Sequence, residues 1–160
     1  MRNLRTELKY ALAFFTMTLI WMCMERLLGL HSTHIDKHYI YTNFFMIPAI
    51  AIYVFALLEK RKRDYQGIIS YRQAFASGLV MTVFITILAP IAQYITSIYI
   101  TPHFFENIIN YSVTNKKLSM EEAVAYFNLN SYLKETIIAT PFMGLFTTAI
   151  VSLFVRKKSQ

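Results

Sequence analysis

The sequence predicts an all-α membrane protein, a bundle of four transmembrane helices forming a single domain over residues 1–160. Three observations predict it. First, 56% of the residues are hydrophobic and the mean hydropathy is +0.40, more apolar than a soluble domain of this size. Second, four stretches almost free of charge, at about 10–30, 39–58, 74–98 and 136–155, each approach or exceed the ~20 residues that carry a helix across ~30 Å of hydrocarbon. Third, the basic residues gather at alternate junctions between these stretches. Helices are required because lipid offers backbone N–H and C=O groups no partner, so an open strand would leave its own unpaired. A soluble bundle would need a polar face on each helix, and IPAIAIYVFALL and LVMTVFITILAPIA have none.

In the first span, Arg2, Arg5 and Lys9 precede an apolar run broken only by Glu25 and Arg26. It reads as an anchor rather than a signal peptide, because the residues around Trp21, Met22 and Cys23 are too large for a cleavage site. Cys23 is the only cysteine, so no internal disulfide forms. Pro48, Pro90 and Pro141 are expected to interrupt the later three spans, each removing a backbone hydrogen bond. The small-residue faces Ala74-xxx-Gly78 and Thr140-xxx-Gly144-xxx-Thr148 allow close helix approach.

Lys and Arg flanking a span are held on the cytoplasmic side. Arg2, Arg5, Lys9, Lys60, Arg61, Lys62, Arg63, Arg72, Arg156, Lys157 and Lys158 fall on one side, which places both termini in the cytoplasm. The other side carries Lys37, Lys116, Lys117 and Lys134, accompanied by Asp36, Glu106, Glu121, Glu122 and Glu135. The net charge of +7 is mostly this orientation signal. Nucleic acid is not an expected partner, because no basic face on a soluble fold is visible. The run EKRKRDYQ at 59–66 is read as a topology determinant that also suits anionic lipid headgroups.

The segment 101–135, between the third and fourth spans, is expected to form an outer helical cap of two short amphipathic helices. Thr101-Pro102 suggests an N-cap and first helical residue, with Phe104, Phe105, Ile108 and Ile109 at helical spacing. TNKK at 114–117 reads as a turn, and Ser119 with Glu122 matches a capping box.

Counted at about 1.5 Å per residue, Glu25, Asn43, Gln93 and Thr140 all lie roughly 6 to 8 Å below the outer edge, one per span. They form the candidate intramembrane polar cluster, either structural glue between helices or a ligand or proton site. Arg26 is about 100° round the helix from Glu25 and is expected to snorkel outward. His31, His34 and His38, with Asp36 and His103 nearby, are a weak candidate metal site: imidazoles suit zinc, but the spacing H-x2-H-x3-H matches no metal motif. No cofactor is expected.

The residues W-M-C-M-E-R-L-L-G-L-H, Y-T-N-F-F-M-I-P, A-F-A-S-G, A-P-I-A-Q-Y-I and Y-F-N-L-N-S-Y resemble the domain of unknown function 4199 family of small bacterial integral membrane proteins. The resemblance covers nearly the whole chain. It implies a four-helix protein of the bacterial inner membrane and brings no reaction with it. The expected function is that of a structural or accessory membrane subunit without catalytic activity, since no nucleophile, phosphate loop or metal motif is present. Its expected partners are the lipid bilayer and a membrane protein or a second copy of the chain. The alternative is a small proton-coupled transporter or ligand-binding membrane protein centred on Glu25.

Overall fold

The computed structural model describes residues 4–157. Arg2 and Lys158, which count toward the charge asymmetry, lie outside the described residues. Four helical segments are long and apolar enough to cross a membrane: Arg5–Leu27, Ile35–Asp64, Tyr71–Ile100 and Leu129–Val155. The first is helix α1 (Arg5–Leu27). The second is composite: a 3-10 turn (Ile35–Lys37), α2 (His38–Tyr41), a second 3-10 segment (Thr42–Phe45) and α3 (Met46–Asp64). The third is α4 (Tyr71–Ile95), which widens into a π-helical turn over Thr96–Ile100. Two short helices, α5 (Phe104–Thr114) and α6 (Met120–Tyr126), precede α7 (Leu129–Val155).

Large apolar side chains cover the outside of the long helices. Leu27 is 86% exposed and Phe154 82%, with Phe146, Ile87 and Ile20 also facing outward. Hydrocarbon solvates such a surface and water does not, so this is the exterior of a membrane protein.

The helix ends follow caps more than hydropathy. A Ser70–Gln73 capping box starts α4, and the Asn128 side chain accepts from the Ser131 amide at 2.9 Å to start α7. The fourth span therefore begins at Leu129 rather than 136, shortening the expected 101–135 cap. Thr101 does not open α5. Its amide and hydroxyl donate back to the Thr96 carbonyl at 2.8 and 3.2 Å, closing the π turn, and α5 begins at Phe104. The Ser119–Glu122 box caps α6, and these hydrogen bonds hold the Glu122 carboxyl below the usual carboxylate range. Pro90 and Pro141 lie inside α4 and α7. Pro48 does not interrupt its helix. It occupies the first turn of α3, where the N–H lacks an intrahelical partner in any case, and the chain before it tightens into the 3-10 segment.

The closest packing is between α4 and α7. Gly78 of α4 faces the Thr148 side chain of α7, and Gly144 of α7 faces Thr82 of α4, so a Cβ on either glycine would run into the opposing threonine. The Tyr53 hydroxyl adds a hydrogen bond to Thr82 Oγ1 at 2.9 Å, bringing α3 into the same contact. Lipid gives helices no hydrophobic reason to associate, so this small-residue fit supplies the dispersion contact that holds the pair. Tyr53, Leu57, Met81, Ile85 and Val151 fill the core around it.

Both ends of the described chain lie at one end of the assembly. Lys157 N donates to the Ile69 carbonyl at 2.9 Å, and Arg61 Nη1 donates to the Val155 carbonyl at 2.8 Å. Lys60, unlike the exposed Lys62 and Arg63 of the same basic run, is withdrawn from solvent. It is 1% exposed, and its ammonium reaches Glu7 Oε1 at 3.0 Å and Asp64 Oδ2 at 2.5 Å. Ser77 Oγ donates to Glu7 Oε1 at 2.7 Å, so the carboxylate and the ammonium share a buried network that joins α1, α3 and α4.

Two predictions follow from this packing. Gly144→Val forces α4 and α7 apart and lowers stability by about 1–3 kcal/mol in detergent unfolding, whereas Leu145→Val on the outer surface stays within about 0.5 kcal/mol of wild type. Lys60→Met takes an ion-pair partner from a buried carboxylate and costs about 3–5 kcal/mol, and Glu7→Gln/Lys60→Met restores part of the loss. Thermal unfolding in which Lys60→Met matches the exposed-site variant Lys62→Met would contradict the buried network.

Candidate functional site

Glu25 sits two residues before the end of α1, and its carboxyl group is among the most buried polar groups of the described residues, at 2% exposure. The helix ends in a tight reversal. Leu30 N donates to the Glu25 carbonyl at 3.0 Å and His34 N to the Gly29 carbonyl at 2.8 Å. Gly29 makes this possible: its φ is +74°, and a side chain there would strike Thr33. The reversal carries His31 back over the helix end, where its Nε2 lies 2.9 Å from Glu25 Oε2. His38, at the start of α2, brings its Nε2 to 3.5 Å from the same oxygen. The other carboxyl oxygen is occupied, since Trp21 Nε1, one turn back on α1, donates to Oε1 at 2.6 Å.

Helix α5 completes the enclosure. Asn107 Nδ2 donates to the His31 carbonyl at 2.9 Å and fixes the loop backbone. The Phe104 ring packs against both imidazoles, with centroids 5.2 Å from each. One carboxyl oxygen and two imidazole nitrogens thus lie within 4.8 Å of one another in a largely apolar shell. Burial raises the stakes of each contact, because an unpaired polar atom here has no water to fall back on. His31 Nδ1 is such an atom, buried with no hydrogen-bond partner among the described residues. Leaving it unpaired costs on the order of 1–3 kcal/mol.

The structure separates the groups that the sequence placed at one depth. Asn43, Gln93 and Thr140 do not join Glu25. They line a cavity of about 580 Å³ between α1, α3, α4 and α7, and Glu25 is not among its lining residues. Asn43 donates to the Tyr39 carbonyl at 2.6 Å, and Gln93 donates to Ser97 Oγ at 3.1 Å. Equal depth left the azimuth open, and the azimuth divides the four. Phe45, in the cavity wall, packs edge-on against Trp21 with centroids 5.8 Å apart, so one ring pair links the cavity to the Glu25 cluster.

The histidine trio divides as well. His31 and His38 meet at Glu25, whereas His34 is exposed, its Nδ1 3.2 Å from Thr33 Oγ1. Asp36 is exposed, and His103 lies 3.6 Å from Glu106 on the surface, away from the cluster. Arg26 turns outward as its helical position suggested, donating to the Ile100 carbonyl at the end of the π turn. Trp21, which the sequence reading did not single out for the site, is a hydrogen-bond partner of Glu25. Its i, i+4 spacing from the carboxylate was the available signal.

Neither the curated proteins nor the solved structures provide a match to this sequence. Residues 9–157, nearly the whole chain, match a family described as proteins of unknown function, DUF4199, and the chain belongs to that family.

Proposed function

We propose that this chain is an accessory, non-catalytic protein of the bacterial inner membrane that holds a single amphiphilic molecule in the cavity between its four spans. The cavity is the observation that carries the reading. Its volume of about 580 Å³ falls within the ~300–1,000 Å³ of ordinary small-molecule sites. Its chemistry is graded along the spans. Asn43, Gln93, Thr136 and Thr140 line one part and offer hydrogen bonds, while Phe14, Ile50 and Ile85 line a part nearer the described termini. Such a gradient suits a molecule with an uncharged or cationic polar head and an apolar tail. The Glu135 carboxyl lines the same part and suits a cationic head.

The charge distribution supports an orientation with the described termini in the cytoplasm and α5 and α6 on the outer face. In that orientation the polar part of the cavity lies in the outer half of the bundle. A proton-coupled transporter centred on Glu25 is the weaker reading, because the cavity and the carboxyl group are separate. The partners in this account are the bilayer itself and a neighbouring membrane protein or second copy that meets the outer helices.

The test is native mass spectrometry of the detergent-purified protein. Wild type is expected to keep one lipid-sized adduct per chain at collision energies that strip loosely associated lipid. Ala89→Phe and Ala49→Phe, which fill the cavity from α4 and α3, are expected to lose it while unfolding at near wild-type temperature. Wild type without an adduct, or an adduct that both variants keep, would refute the reading.

A further inference from the structure

We propose that Glu25, His31 and His38 form a binding site for one divalent transition-metal ion, zinc in the first instance, independent of the inter-helix cavity. The donor geometry is the main argument. Tetrahedral zinc with bonds of about 2.0–2.2 Å sets neighbouring ligand atoms about 3.3–3.6 Å apart. Here Glu25 Oε2 stands 2.9 Å from His31 Nε2 and 3.5 Å from His38 Nε2, and the three ligand atoms lie within 4.8 Å of one another. Side-chain shifts of up to about an ångström, mostly between the two imidazoles, bring all three onto one ion.

Both imidazoles turn to Oε2, while Trp21 holds Oε1 from the other side and leaves a single oxygen for the pair. Two imidazoles and a carboxylate oxygen are a donor set that zinc accepts, with a fourth position left for solvent or another ligand. His38 offers the way in, since its side chain is 22% exposed while that of Glu25 is 2% exposed.

The surroundings also fit a metal site. Ligands of a metal are oriented by the contacts around them, and Trp21 and Asn107 fix the carboxyl group and the His31 backbone, with Phe104 walling both rings. The ligands come from α1, from the loop after it and from α2, and α5 packs over them. A bound ion therefore ties the first two spans together beneath the loop helices.

Metal-stripped, full-length protein in detergent is titrated with Co²⁺ alone and then with Zn²⁺. The expected result is one Co²⁺ per chain with the intense visible absorption of a four-coordinate ion, displaced by one equivalent of Zn²⁺, and a rise in unfolding temperature with added metal. Because substitution of the buried Glu25 or His31 endangers the fold, His38→Ala and the bulkier His38→Gln carry the test. Loss of an outer-shell contact already weakens metal sites by about 10–100-fold, so each is expected to weaken Co²⁺ by at least about 100-fold. His34→Ala, on the exposed part of the loop, is expected to bind as wild type. Metal-free unfolding confirms that the variants fold. Absence of stoichiometric Co²⁺, the faint absorption of an octahedral surface ion, or equal weakening by His34→Ala and His38→Ala would overturn the site.

Discussion

A carboxyl group buried among helices whose outer faces are solvated by hydrocarbon must find its partners inside the protein, and the two buried glutamates of this chain organise its two ends. Near the described termini, Glu7 holds Lys60 and Ser77 and so fastens α1 to α3 and α4. At the opposite end, Glu25 gathers Trp21, His31 and His38, drawing the loop after α1 and the start of the second span onto the helix end. Between them the helices meet through small residues, with Gly78 against Thr148 and Gly144 against Thr82. Polar demand fixes the ends and close packing fixes the middle.

The prolines and the glycine–threonine contact divide the long helices into a tight part and an open part. Gly78 and Gly144 bring α4 and α7 together, while the cavity extends along Ala89, Gln93 and Thr140, beside Pro90 and Pro141. A helix that loses a backbone hydrogen bond at proline can diverge from its neighbour beyond that point. The cavity and the Glu25 cluster then occupy adjacent positions, joined by the Phe45 and Trp21 rings. An occupant of one has a direct packing route to the other.

The four spans were legible because bilayer thickness and the exclusion of charge leave a strong signal in any sequence that obeys them. The small-residue faces were legible for the same reason, being patterns within one helix. Contacts between distant residues were not. Glu7 and Lys60 are 53 positions apart, and a lysine among basic neighbours looks solvated until a buried carboxylate is placed opposite it. Glu25 was singled out as a costly charge and is buried, but depth along a helix does not give direction around it, and Asn43, Gln93 and Thr140 line the cavity. Gly29, between Glu25 and His31, was the local sign of a reversal. Whether the turn brings back His31 or His34 depends on backbone geometry that the histidine spacing alone does not encode. The early starts of α4 and α7 come from the Ser70 and Asn128 caps, which hold polar residues in helix where a hydropathy reading ends the span.

The most direct test of this account is a solid-state NMR distance measurement in lipid, recoupling the labelled Glu25 carboxyl carbon to histidine ring nitrogens and to side-chain amide nitrogens. The 2.9 Å contact between Glu25 Oε2 and His31 Nε2 predicts strong dephasing by His31, weaker dephasing by His38 and none by Asn43 or Gln93. Dephasing by the Gln93 or Asn43 amide, with none from His31, would contradict it and return Glu25 to the cavity.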